Sequence, residues 1–285
     1  MRSALVFGGS GQIGVPVIEQ LLAGGWQVVA VSRTPQAGRE RLTWLRGDLQ
    51  QVQGLPRQVD AIFSLGPLDH FSRWYERTAM VAPRVIAFGS TSVETKQDSG
   101  DPHERDIADR LRAAESRIFA IARERQARAT LLRPTLVYGA ARDRSLTQIA
   151  RMARRTGFFV LPRGANGLRQ PVHVDDLADA TLAAVDADET GGRSYALPGG
   201  ETLGYAQMVE RVLAALQPPA RLIRVPAPLF KAAVATAHAF GKMQGLGEAA
   251  VARMREDLVF DAEAAQRDFG YAPRGFQPTQ EMFVI

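Results

Sequence analysis

A chain of 285 residues, 46% hydrophobic and 23% charged, has material for a large core in one two-lobed unit or two joined lobes, which excludes disorder as its main state. The absence of cysteine excludes a disulfide framework, thiolate zinc ligation and a cysteine nucleophile. A net charge of +5, with no polybasic tail or nucleic-acid-binding signature, argues against a nucleic-acid partner and fits small anionic ligands better.

In chain order, residues 4–7 read as a short buried strand, 15–23 as an apolar helix face closed by Gly24-Gly25, and 27–31 as a second strand. Residues 43–45, 61–65, 85–88 and 130–132 supply four further strands. Between the last two, Ile107, Leu111, Ala114, Ile118 and Ile121 recur at helical spacing, predicting a long surface helix over 104–128. After Pro134 the alternation loosens into a basic segment. A strand over 171–174, a helix over 175–185 and a strand over 195–197 follow, then the helices 205–216 and 227–240.

Gly191-Gly192, Gly199-Gly200 and Gln217-Pro218-Pro219 read as turns, and no internal repeat appears. The start is too short for a signal peptide's apolar region, and the most apolar later stretch, 225–240, carries Lys231 and His238 and is too short to span a bilayer. No membrane partner is expected, and the cytoplasm is the expected compartment.

Gly8-Gly9-Ser10-Gly11-Gln12-Ile13-Gly14 follows a strand and opens a helix, the context in which a glycine-rich string has a physical meaning. Gly8 permits the tight turn, Gly11 lets a pyrophosphate approach the backbone, and Gly14 allows close helix–strand packing, with the helix's free N–H groups facing the anion. The spacing resembles the short-chain dehydrogenase/reductase superfamily, which implies a doubly wound parallel-sheet Rossmann fold of the α/β class. Arg33 follows the second strand where an acid normally takes the adenosine ribose hydroxyls, and a guanidinium suits a 2′-phosphate, so NADP(H) is expected over NAD(H). Asp48 and Leu49 resemble the superfamily's adenine-contacting loop, although an Asp there reads equally well as a turn residue. Leu65 and Gly66 lie at the carboxyl end of the fourth strand, where the superfamily runs its backbone past the cofactor.

Later segments resemble the extended branch, the NAD-dependent epimerase/dehydratase family, which acts largely on nucleotide sugars. Gly89-Ser90-Thr91-Ser92-Val93 resembles its serine/threonine string, with Thr91 and then Ser90 as matches to the catalytic hydroxyl. Leu132-Arg133-Pro134 through Val137-Tyr138-Gly139 resembles its sixth-strand signature, with Pro134 on the cofactor side and Tyr138 in the pocket wall. The segment from Gly167 to Asp176 resembles its substrate-lobe signature, and the resemblance implies that Arg169 pairs with a substrate diphosphate.

The family's Tyr-x-x-x-Lys is missing. Its positions fall on Ile107 and Leu111, and no tyrosine occurs in residues 91–129. Neither side chain can donate or accept a proton, so the usual acid/base pair is lost. Thr91, His103, Glu104, Asp106 and Arg110 are the replacements within reach in sequence, each also readable as a solvated helix or loop residue. The loss resembles the atypical members of the superfamily, which keep the dinucleotide fold while altering or abandoning catalysis.

Seven arginines, 142, 144, 151, 154, 155, 163 and 169, fall in a 28-residue window with Asp143 as its only acid, readable as a positive substrate face or as an ordinary surface cluster. With only His70, His103 and His238 besides it, His173 reads as structural, and no metal site is expected. Asp175 or Asp176 starts a helix, and the apolar 229–240 stripe reads as core or interface.

The expected organisation is a dinucleotide-binding domain over 1–138 to which 173–198 returns, and a smaller, mostly helical C-terminal substrate lobe over 139–172 and 199–285, with the ligand site in the cleft between them. The expected function is an NADP(H)-binding oxidoreductase or epimerase/dehydratase acting on a nucleotide sugar or similar anionic small molecule through a non-standard proton donor. The alternative is a catalytically inactive NADP(H)-binding regulatory or assembly protein. A homodimer is a further expectation from the resemblance.

Overall fold

A computed structural model of the chain describes residues 1–143, 145–230, 232 and 248–283. It divides into two compact units, the first made of Met1–Thr135, Val174–Leu197 and Asp261–Ala272, the second of Leu136–His173, Pro198–Phe260 and Pro273–Ile285.

The first unit opens with β1 (Ser3–Phe7), α1 (Gly14–Ala23), β2 (Gln27–Ser32), β3 (Leu42–Arg46) and β4 (Ala61–Ser64). It continues with α2 (Leu68–Arg77), β5 (Arg84–Phe88), the single turn α3 (Ser92–Thr95), α4 (Pro102–Glu124) and β6 (Arg128–Pro134). In the second unit the chain forms β7 (Val137–Tyr138), α5 (Leu146–Thr156), β8 (Phe158–Pro162), β9 (Leu168–Arg169) and β10 (Val172–His173). It returns to the first as α6 (Val174–Asp186) and β11 (Arg193–Leu197), then re-enters the second as β12 (Leu203–Gly204), α7 (Tyr205–Ala215), β13 (Arg221–Val225) and α8 (Glu248–Arg253). The helix α9 (Glu263–Phe269) belongs to the first unit, not to the C-terminal lobe that the sequence predicts for it. Its Asp268 accepts the Tyr195 hydroxyl at 2.7 Å, and its Phe269 ring meets Tyr195 edge-on at 5.1 Å.

Seven strands form one sheet in the order β11-β6-β5-β4-β1-β2-β3. Every pairing in it is parallel. The winding direction reverses between β1 and β4, and a doubly wound sheet opens its ligand crevice outside the strands' carboxyl ends at such a point. Strands β1, β4 and β5 are apolar and nearly wholly buried, as a sheet covered on both faces requires. On one side Phe7 packs edge-on against Trp74 of α2 at 4.6 Å, and Phe71 stacks on Tyr75.

Residues 104–128 do not form one helix to its end. Helix α4 starts earlier, because the Asp101 side chain accepts the His103 N–H at 2.9 Å and Pro102 fits the first turn. It stops at Glu124 because Gln126 takes a φ of 53°, and Arg128 already belongs to β6. The basic segment after Pro134 contains a helix that alternation did not announce. Asp143 accepts the Ser145 N–H at 3.0 Å, the Thr147 N–H at 3.1 Å and the Thr147 hydroxyl, which starts α5.

The second unit joins its helices with three two-stranded ladders, β7 with β10, β9 with β12 and β8 with β13. Its core gathers Ile149, Ala153, Val209, Leu213, Phe276 and Phe283. Most of the apolar helix expected over 227–240 lies outside the described residues. Among the described residues no helix is long and apolar enough to cross a membrane.

Candidate functional site

The glycine turn leaves β1 at Gly8, whose φ of 78° suits a residue without a side chain. A Cβ there would stand 2.9 Å from the carbonyl carbon of Leu65, so β1 and the exit of β4 approach as backbone. The Gly11 N–H closes the turn on Gly8 O at 2.9 Å. Helix α1 begins at Gly14 with no side-chain cap and no acid in its first turn among the described residues, leaving a positive helix end undisturbed by a carboxylate.

Above this turn lies a cleft of about 620 Å³, wholly within the first unit. It brings together Gly8, Ser10, Gly11, Arg33, Asp48, Leu49, Leu65 and Gly66, eight of the twelve cofactor residues expected from sequence. It adds Phe7, Val31, Ser32, Gly47, Gln50, Pro67 and His70, which sequence reasoning missed. A signal for Ser32 was present, since it rather than Arg33 is the last residue of β2. Its hydroxyl lies 3.5 Å from that of Ser10 and 3.3 Å from that of Thr34, so three hydroxyls gather beside the exposed Arg33.

Asp48 accepts the N–H groups of Gln50 and Gln51 at 2.8 and 3.0 Å, and these bonds, Gln51's first, hold its carboxyl below the usual range. It therefore shapes the loop after β3 and lines the cleft at the same time. Gln12, Ile13 and Gly14 do not line the cleft. Ile13 is buried, the Gln12 side-chain oxygen is buried without a hydrogen-bond partner, and Gly14 packs against the turn.

Thr91 is buried and donates its hydroxyl to Pro134 O at 3.3 Å, joining α3 to the end of β6. Ser90 donates to the Ser92 hydroxyl at 3.1 Å. Ile107 and Leu111 are half-buried on α4, with Leu111 packed on the first unit's core. Of the replacements considered on and before that helix, His103, Asp106 and Arg110 are exposed, whereas Glu104 is 7% exposed. It accepts the Ser99 hydroxyl at 2.8 Å and pairs with Lys96 at 3.7 Å.

In the second unit Arg169 is 5% exposed. It donates to Leu168 O and Glu256 O at 2.7 Å each and to Arg253 O, with its guanidinium over the Tyr205 ring. Burial lowers its pKa from the ordinary arginine value. These bonds make it a staple for the 253–256 segment, in place of the open diphosphate anchor that the resemblance implies. Tyr138 is likewise part of the second core instead of a pocket wall, 1% exposed with edge contacts to His173 and Phe276. His173 is buried in β10, as a structural residue is, and Asp175 and Asp176 occupy the first turn of α6. Arg142, Arg151, Arg154, Arg155 and Arg163 are exposed, while Arg144 lies outside the described residues.

Curated relatives include the 2-alkyl-3-oxoalkanoate reductase of Stenotrophomonas maltophilia (strain K279a), 26% identical over 95% of this chain and 94% of that one. The mitochondrial NADH dehydrogenase [ubiquinone] 1 alpha subcomplex subunit 9 of Arabidopsis thaliana is 26% identical over 81% of this chain, which spans 62% of that subunit's length. Among solved structures, UDP-glucuronic acid 4-epimerase from Bacillus cereus, in complex with UDP-glucuronic acid and NAD, superposes with a TM-score of 0.70 at 14% identity, over 96% of this chain and 95% of that one. That likeness shows the fold. The NAD dependent epimerase/dehydratase family model matches residues 4–93 and 109–197, across strands β1 to β6 and β11 with the glycine turn included, and this chain belongs to that family.

Proposed function

We propose that the chain binds a nicotinamide dinucleotide, NADP(H) in preference to NAD(H), and uses it as an oxidoreductase or epimerase/dehydratase on an anionic small molecule. The observation that carries this is the cleft itself, whose floor is the bare glycine turn and whose β2 edge places Arg33 beside three hydroxyls. At the end of β2 the neutral Ser32 and the cationic Arg33 stand where an acid would normally be, so a 2′-phosphate would meet a guanidinium and neutral donors. The glycine turn fits the group, because it lines the cleft as bare backbone at Gly8 and Gly11, with the uncapped start of α1 following it.

When bound, the nicotinamide supplies hydride transfer. Gly8, Ser10 and Gly11 would hold the pyrophosphate, Arg33 the ribose phosphate, and the Asp48–Gln50 loop the adenine. Ser90 and Thr91 would orient a substrate carbonyl or hydroxyl. The relative's oxo acid and the neighbour's nucleotide sugar share a carbonyl or carbinol carbon next to a negative charge, and that is the substrate class proposed.

Calorimetry with NADPH and NADH tests the coenzyme, and a panel of UDP-sugars and 3-oxo acids with the preferred coenzyme tests turnover. Heat with NADPH and turnover of one panel member are expected. No heat with either coenzyme on native protein would overturn the reading.

A second reading is a dinucleotide-binding assembly or regulatory protein without catalysis. Ile107 and Leu111 in place of the acid/base pair favour it, as does the likeness to a respiratory-complex subunit. Tight coenzyme binding with no turnover, and recovery of a partner protein with the chain, distinguish it from the first.

A further inference from the structure

We propose that the Lys96 ammonium, seated on the Glu104 carboxylate, is the proton donor that replaces the absent tyrosine and lysine. The inference rests on the oxidoreductase reading above.

Position is the first argument. Thr91 caps one end of α3 and Lys96 the other, with the Thr95 N–H on Thr91 O and the Lys96 N–H on Ser92 O, both at 3.2 Å. Four residues separate Lys96 from Ser92 and five from Thr91, a rise of about 6–7.5 Å along the turn, comparable to the reach of a lysine side chain. Glu104 lies three residues before Ile107 on α4, on the same helix face and one turn ahead of the place the family gives to its tyrosine.

The second argument is orientation within the pair. The Glu104 side chain is 9% exposed and the Lys96 side chain 21%, with 3.7 Å between charged atoms. The carboxylate is the more deeply buried partner, further fixed by the Ser99 hydroxyl, and the lysine is the more exposed one. A carboxylate so buried requires a countercharge, which ties the lysine tip to one place.

Residue type is the third. Of 35 basic residues 32 are arginine, and Lys96 is the one lysine among the described residues. The other buried carboxylate in an ion pair on this helix, Glu115, is met by Arg133. A guanidinium holds its protons at all working pH values, whereas an ammonium gives one up. For an ion pair alone, arginine would serve as it does elsewhere in the chain.

In the reducing direction the substrate's carbonyl carbon would take the hydride that a nicotinamide coenzyme, held by the glycine turn and Arg33, would supply when bound. The C=O π pair moves to oxygen, and that oxygen takes a proton from Lys96 Nζ. The neutral amine, held by Glu104, regains a proton from solvent. Oxidation runs the same transfers backwards. Glu104 acts through Lys96 and is a positioning residue.

The test uses the full chain, NADPH and reductive methylation with ¹³C-formaldehyde, the Lys96 signal being identified by its loss in Lys96→Arg. Saturating NADPH should slow Lys96 labelling about tenfold, as a group moves from solvent into a covered site. Glu104→Gln should quicken it in the free protein, because the lysine tip loses the carboxylate that ties it in place. A structural role alone would leave the NADPH effect absent. On the substrate the panel reveals, Lys96→Arg should lower kcat about 100-fold or more with NADPH affinity little changed. NADPH heat with unchanged Lys96 labelling, or full turnover by Lys96→Arg, overturns the assignment and leaves the coenzyme reading standing. Absence of NADPH heat takes both down.

Discussion

Gly14 and Gly8 touch backbone to backbone. A Cβ on Gly14 would run into the carbonyl oxygen of Gly8 and stand 2.6 Å from the Cα of Gly9, so the first turn of α1 seats directly on the glycine turn.

Gly14→Ala should therefore cost about 1–3 kcal/mol of stability by overpacking and weaken coenzyme binding as well, because the turn must open to admit the methyl group. Gly66 makes the contrast, since a Cβ there meets nothing within 4 Å. Gly66→Ala should change stability by less than about 0.5 kcal/mol. Thermal unfolding of both variants, with and without NADPH, is the measurement.

Arg33→Ala removes the one arginine lining the cleft. The preference for NADPH over NADH should fall by about 1–3 kcal/mol, the range of a charge-assisted contact, while NADH affinity stays near its starting value. Competing titrations read the ratio directly, and an unchanged ratio removes Arg33 from the phosphate site.

Arg169→Ala takes the donor from the Glu256 carbonyl and one of two donors from the carbonyls of Leu168 and Arg253, which also accept the Leu258 and Glu256 N–H groups. A loss of about 2–4 kcal/mol is expected, as for other buried groups stripped of partners, and lysine should not restore it because one ammonium cannot reproduce the planar fork. A diphosphate anchor would behave in the opposite way, raising KM in a protein of unchanged stability. Denaturation midpoints and steady-state kinetics on the same variant separate the two roles.

Asp60 accepts the Ser3 hydroxyl at 2.8 Å and the Ser3 N–H at 2.6 Å, and these bonds, the hydroxyl's first, lower its carboxyl below the ordinary value. A carboxyl depressed in the folded state adds stability above its unfolded pKa of about 3.9 and loses it as pH falls through the folded value. Asp60→Asn should thus cost about 1 kcal/mol at neutral pH, discounted for exposure, with the gap to wild type closing below pH 4. A gap that persists at pH 3 would assign the effect to shape instead of charge.

What sequence made legible was the part whose chemistry lies in adjacent residues. The glycine turn, Arg33 and Asp48 each stand within a few positions of a strand end, and the sheet brings those ends to one cleft. Helix α2 went unread although Leu68, Phe71, Trp74 and Tyr75 share one face, because charged residues and a histidine interrupt them. The role of Arg169 was out of reach for another reason: its carbonyl partners lie 84 and 87 residues further along and carry no side-chain signature. Of the two-residue strands of the second unit, β10 falls within the strand read over 171–174, whereas β7, β9 and β12 are too short for alternation to register.

The Arg133 guanidinium clasps Glu115 with two of its nitrogens and Glu94 with a third, at 2.8 Å, riveting the end of strand β6 to both α3 and α4. Such a mount is indifferent to which side chains it displays. A tyrosine and lysine engineered at positions 107 and 111 would thus arrive on a helix already pinned to the sheet.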